Sequence, residues 1–183
     1  TAFPNRYAPD ILRAKELLER GGIGELRAVK ATNKGKMPGG FFVEPELSGG
    51  GSLMDHVVHV ADLMTWFRGE APQWVCAFGG TVLHPELVVD DVSMVHFGYA
   101  NGVTVTLDSS WSRNEKFPSD RNLTLELMGT QGTLWVDIVT DHSRVLSDLA
   151  DRELYLDFGP NKVKRMLEDA VNCVCEDRPF PVT

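Results

Sequence analysis

SGGGSLMDHVVHVADLMTWFRG, Ser48 to Gly69, is the stretch from which the rest of the chain can be read. Three glycines open it, an apolar-periodic segment follows, and Arg68-Gly69 closes it. Glycine at the exit is a common left-handed helix stop, and arginine in the last turn suits the negative end of the helix dipole. The spacing predicts one helix from Ser52 to Phe67. At about 100° per residue, Leu53, Val57, Val60, Met64 and Phe67 share one face, expected to meet the core. Asp55, His59, Asp62 and Trp66 form a stripe close to the opposite face. It sets a carboxylate one turn before an imidazole, and side chains at that spacing are neighbours.

A carboxylate beside a histidine orients the ring and favours its charged form, which suits a group exchanging a proton near neutral pH. On spacing alone, an ordinary surface Asp–His pair explains the pattern as well. Asp55, His56 and His59 also offer a metal two or three ligands. His56 stands to the side of His59 and no cysteine is near, so no metal site is expected. His56 is likewise expected to matter far less than His59.

The same run resembles the Gly-Gly-Gly-x-Leu-x-Asp-x-Gly-x-His-x-x-Asp signature of the glucose–fructose oxidoreductase / inositol dehydrogenase (Gfo/Idh/MocA) family. Gly49, Gly50, Gly51, Leu53, Asp55, His59 and Asp62 match it. Val57 stands where the family has glycine, which implies tighter packing or a slightly shifted helix there. NRYAPDILRAKELLERGGIGELRAV resembles the family's entry into its second domain, and DDVSMVHFGYANGVTVTLDSSW and LELMGTQGTLWVD resemble its central strands. The resemblance covers almost the whole chain.

It implies the substrate-binding half of an oxidoreductase that moves hydride between NAD or NADP and a sugar, cyclitol or related polyol. His59 would give or take the proton on the substrate oxygen, and Asp55 would orient or charge it. The family carries its nicotinamide-binding Rossmann domain, with a catalytic lysine in a Glu-Lys-Pro motif, N-terminal to this segment; neither is in these residues. Glu115-Lys116-Phe117 lacks the proline. A fragment of a longer oxidoreductase, truncated at both ends, is therefore expected. The family's sheets often pack against a second subunit, which makes Trp74, Trp111 and Trp135 candidates for a homo-oligomer surface. The alternative reading is a non-catalytic module for dimerisation or for binding a sugar-like ligand; such a module has no need to keep Asp55 and His59 in register.

Composition agrees with one soluble domain: 183 residues, 43% hydrophobic and 24% charged. A net charge of −8 without a basic stripe argues against nucleic-acid or anionic-membrane partners. No apolar run approaches spanning length. Cys76, Cys173 and Cys175 make no disulfide framework and read as reduced thiols in the cytoplasm.

Around the central helix, the periodicities predict an α+β fold: a mainly antiparallel open sheet with helices on one face. A helix is expected over Pro9–Arg20, a strand over Glu25–Lys34, and a loop from Gly35 to Gly51 that could line the substrate. Gln73–Phe78 reads as a strand with a break at Gly79-Gly80 and a continuation over Thr81–Leu83. Hairpins are expected for Asp91–Tyr99 with Val103–Trp111, and for Leu123–Met128 with Thr133–Asp137. Weaker strands follow around Arg144–Leu146 and Glu153–Phe158. A last helix, Asn161–Glu176, would bury Val163, Met166, Leu167, Ala170, Val171 and Val174. Lys36, Trp111 and Arg113 sit at strand ends where a polar or aromatic group can line a substrate site.

No G-x-G-x-x-G follows a strand in these residues. The isolated chain is therefore expected to bind NADH negligibly and to show no dehydrogenase activity. Calorimetric titration checks this, and micromolar affinity would contradict it.

Overall fold

A computed structural model describes residues 2–117, 119, 121–138, 142–145, 154–157 and 161–182. Its centre is a six-stranded sheet built from β1 (Leu26–Gly35), β2 (Trp74–Gly80), β3 (Val92–Gly98), β4 (Thr104–Asp108), β5 (Arg121–Gly129) and β6 (Thr133–Asp137), in the order β2-β3-β4-β1-β5-β6. β1 and β4 run parallel, with Ala28 opposite Thr104, and every other pairing is antiparallel. The α+β expectation holds. A second small sheet pairs β7 (His142–Val145) with β8 (Leu154–Asp157). Leu146, Glu153 and Phe158, at the ends of the two weaker expected strands, lie outside the described residues.

The two sheet faces differ as the alternation requires. Along β3, Ser93, Val95 and Phe97 are buried while Met94 and His96 are exposed. The inner face joins Val29, Ala31, Val95, Val105, Leu107 and Leu125 into one core. Helices α1 (Pro9–Glu19) and α3 (Ser52–Arg68) cover it, giving Ile11 and Ala14, and Val60, Leu63 and Met64. Leu53, Val57 and Phe67 from the expected apolar face pack half-buried against that core, and Leu63, left off that face, is fully buried. The face is therefore rotated toward Leu63.

The opposite stripe of α3 is not a solvent face. A 3-10 turn at Pro4–Tyr7 lies across it. Arg6 clasps Asp62 with bonds of 2.8 and 2.6 Å and stands 5.4 Å from the Trp66 ring centre, and Lys15 stands 5.0 Å from the same ring. A forked, part-buried Arg–carboxylate contact of this kind fixes both partners. Asp62 and Trp66 thus serve the packing of the N-terminal segment on α3.

Three expectations are corrected. Thr81–Leu83 does not extend β2: the amides of Val82, Leu83 and His84 turn to the buried carboxylate of Asp91 at 2.7, 2.9 and 2.5 Å. Three amide donors on one carboxylate stabilise that turn better than a frayed sheet edge does. The Gly35–Gly51 loop carries a 3-10 turn at Gly40–Val43 and a short α2 (Pro45–Ser48). In α4 (Lys162–Cys175), Val163, Leu167, Val171 and Val174 are exposed, and Cys173 is buried instead. The helix meets the N-terminal turn through Lys162 and Asp169, which bond Asn5 and Tyr7 at 2.7 and 2.6 Å. Periodicity marks an apolar stripe; it does not say which element covers it.

α3 is set in place from outside its own sequence. Asp90 accepts from the amides of Gly51 and Leu53 at 3.1 and 2.7 Å, and its carbonyl takes the Ser52 amide at 2.8 Å. The carboxylate satisfies first-turn donors and faces the positive end of the helix dipole. A Cβ on Gly51 would stand 1.9 Å from the Asp90 carbonyl oxygen, so this approach is open to glycine alone. At the other end Gly69 stops the helix in the left-handed region, φ 68°. Gly51→Ala is expected to cost about 1–3 kcal/mol, the scale of an overpacked site. Denaturant unfolding reads this, and an unchanged midpoint would contradict the close approach.

Candidate active site

The three-glycine entry and the Asp90 clamp bring Asp55 to the first turn of α3, where a negative charge is favoured. Its Oδ2 accepts a 3.1 Å bond from the Trp111 indole and lies 3.2 Å from His56 Nε2. Trp111 is fully buried, and its ring meets the His56 imidazole edge-on at 6.5 Å. His56 Nδ1 lies 3.0 Å from the Ser109 carbonyl oxygen, and the Asn33 amide donates to the His56 carbonyl at 2.8 Å. Ser109 is anchored in turn: its hydroxyl is 2.6 Å from that of Ser93, which is 3.1 Å from that of Ser52, which donates to Asp90 at 2.8 Å. A continuous polar chain therefore runs from the helix clamp to Asp55. A buried polar network is stabilising only when its members are bonded, as these are.

His59 lies one turn further along α3, half-buried and edge-on to Phe3 at 6.1 Å. His56, set aside by spacing, is the imidazole whose Nε2 stands against the Asp55 carboxylate. Adjacent residues on a helix do not ordinarily share a face. Here the Ser109 carbonyl at the end of β4 takes one ring nitrogen, and the other turns to the carboxylate.

The remaining candidates separate. Trp111 reaches the site through its indole N–H and presents no accessible surface of its own. Lys36 is half-buried just beyond β1. Arg113 donates to Asn122 at 2.7 Å and stacks 4.1 Å from the Phe117 ring centre. Asn122 is the register partner of Lys34 on the open face, so Arg113 belongs to the side of the sheet away from α3. Lys34 pairs with Asp108 on that face. Burial works against the Asp108 charge, but hydrogen bonds from Lys34 and Ser110 outweigh it and hold the carboxyl below its ordinary range. Among the described residues, no group of three or more His, Cys, Asp or Glu is placed to hold a metal.

A dinucleotide phosphate needs free amides at a glycine-led helix start. At α3 those of Gly51, Ser52 and Leu53 are already taken by Asp90. These residues do not fit a phosphate cradle.

Sequence reading missed Asn33, Ser93, Ser109 and the clamping role of Asp90. Asp90-Asp91 ahead of a strand was the available signal; its partners, 37 to 39 positions upstream, were invisible without the fold.

Residues 11–135 match the model of the GFO/IDH/MocA C-terminal domain. The chain belongs to that family. It is 25% identical to myo-inositol 2-dehydrogenase of Thermotoga maritima over 155 residues, 81% of this chain and 43% of that protein. It is 26% identical to D-glucoside 3-dehydrogenase of Escherichia coli over 190 residues, 94% of this chain and 53% of that protein. The chain thus spans about half the length of the relatives it matches. Solved structures share the fold, two of them as follows. GenD2 from gentamicin A biosynthesis, in complex with NAD, has a TM-score of 0.80 at 24% identity, covering 97% of this chain and 54% of that one. Myo-inositol 2-dehydrogenase from Lactobacillus plantarum has a TM-score of 0.78 at 22% identity, covering 100% and 56%.

Proposed function

We propose that these residues form the substrate-binding and catalytic half of an NAD(P)-dependent oxidoreductase acting on a sugar, cyclitol or related polyol. The observation that carries the reading is Asp55, fixed by Trp111 and bordered by His56, one helical turn before His59. His59 takes the proton of a substrate hydroxyl on oxidation and returns it on reduction; Asp55 orients the site and stabilises the positive charge that forms. Lys36, beyond β1, is the cation proposed to meet a substrate oxygen. The hydride chemistry belongs to a nicotinamide dinucleotide held by a part of the polypeptide other than these residues. The substrate class is supported by relatives named as inositol and D-glucoside dehydrogenases. Three free thiols fit the reducing cytoplasm as its compartment.

The same proposal includes a homo-oligomer. On the open sheet face Trp74, Phe78, Met94 and Trp135 are 47%, 71%, 41% and 70% exposed. An uncovered apolar sheet face supports a protein partner, here a second copy. Trp111, the third tryptophan expected there, is fully buried on the inner side.

In the complete polypeptide, His59→Ala is expected to lower kcat by about 10²–10⁴-fold, the range for a positioned general acid–base. Asp55→Asn should lower it too, because an amide no longer stabilises imidazolium. Single-turnover kinetics decide, and wild-type rates in both variants would overturn the assignment. Light scattering should give a dimer or tetramer that Trp135→Glu dissociates; a monomer at high micromolar concentration would remove the interface.

A further inference from the structure

Behind Asp55 stands an imidazole to which the proposed chemistry assigns no task. His56 Nδ1 lies 3.0 Å from the Ser109 carbonyl oxygen, which can only accept, so that nitrogen carries a proton. Its Nε2 lies 3.2 Å from Asp55 Oδ2. A lone pair facing a carboxylate oxygen would be two acceptors in contact, a repulsion that a proton on Nε2 removes. Neither anchor is loose. The Ser109 amide donates to the Ser93 carbonyl at 3.0 Å and its hydroxyl joins the serine chain to Asp90. The His56 carbonyl is held by Asn33. Trp111 bonds the same carboxylate oxygen and stands edge-on to the ring.

We propose that His56 is a positioning residue: doubly protonated between Ser109 and Asp55, it fixes the carboxylate that serves His59. The inference rests on the reading of Asp55 and His59 as the proton-transfer pair. It reverses the weight that spacing alone gives to the two histidines. His56 Nε2, at 3.2 Å, and the indole hydrogen bond, at 3.1 Å, converge on Oδ2, so the carboxylate cannot rotate without losing both contacts. The two donors come from different elements, one from α3 itself and one from the segment that follows β4. Asp55 is in this way registered to the sheet as well as to its own helix.

The test uses the complete polypeptide with His56→Leu, His56→Gln and His59→Ala. His56→Leu is expected to lower kcat by about 10–100-fold, the scale on which supporting partners of a site act. KM should stay within about threefold of wild type, since the loss falls on the chemical step. His56→Gln, whose side-chain amide still donates, should recover most of the rate. In ¹⁵N-labelled protein the Trp111 indole N–H resonance should move in His56→Leu and stay near its wild-type position in His56→Gln. In the wild type, both ring nitrogens of His56 should be protonated near neutral pH, a measurement that needs no variant to fold.

A His56→Leu variant with wild-type kcat and an unmoved indole resonance overturns the proposal. So does a His56→Gln variant as damaged as His56→Leu, which would mark the ring as packing only, or an unprotonated Nε2 in the wild type. Wild-type activity in His59→Ala overturns the proton-transfer reading instead, while the indole resonance still reports on the hold over Asp55.

Discussion

The contact between Asp90 and the first turn of α3 is the constraint on which the rest depends. A helix start leaves several amides without partners, and three glycines cannot cap them with side chains. Asp90 supplies both a carboxylate and a carbonyl from the segment just before β3, and Gly51 allows it to come within a distance that any side chain would forbid. The consequence is a helix whose start is tied to the sheet at a single register. Everything α3 carries is then positioned relative to β3 and β4.

From that tie the polar interior follows. Ser52 hands the contact to Ser93 and Ser109, and Ser109 hands it to His56. Buried hydroxyls are tolerable because each has a partner, and a linked set is stiffer than its separate bonds. The apolar core lies on the same sheet face, with Val60, Leu63 and Met64 pressing on Val29, Ala31 and Val95. Polar and apolar packing thus divide α3 along its length: its first turns are held by hydrogen bonds, its later turns by burial. The proposed chemistry is placed at the first and stability is drawn from the second.

The N-terminal segment completes the enclosure. Arg6 and Lys15 pin Asp62 and Trp66 from the side opposite the sheet, and Phe3 edges against His59. The residues of one sequence stripe therefore have different tasks. Asp62 and Trp66 hold an element; Asp55 and His59 are the ones the proposed chemistry uses. The open sheet face, with its exposed tryptophans and phenylalanine, is the complementary feature, an apolar surface on which the helices have no claim.

Local sequence determined what local physics controls. The Ser52–Arg68 helix, the antiparallel hairpins and the alternation that separates the sheet faces were legible because periods of 3.6 and 2 and turn residues act over a few positions. Asp55 and His59 were legible as residues one helical turn apart for the same reason. Tertiary structure alone decided the parallel pairing of β1 with β4, the cap that Asp90 provides, and the choice of His56 as a neighbour of Asp55. It also turned four of the six residues of the apolar stripe of α4 outward, folded Thr81–Leu83 onto Asp91, and put Arg113 on the far face of the sheet from Trp111. Each of these depends on contacts beyond the few positions over which periodicity acts, and such contacts leave no period in the chain.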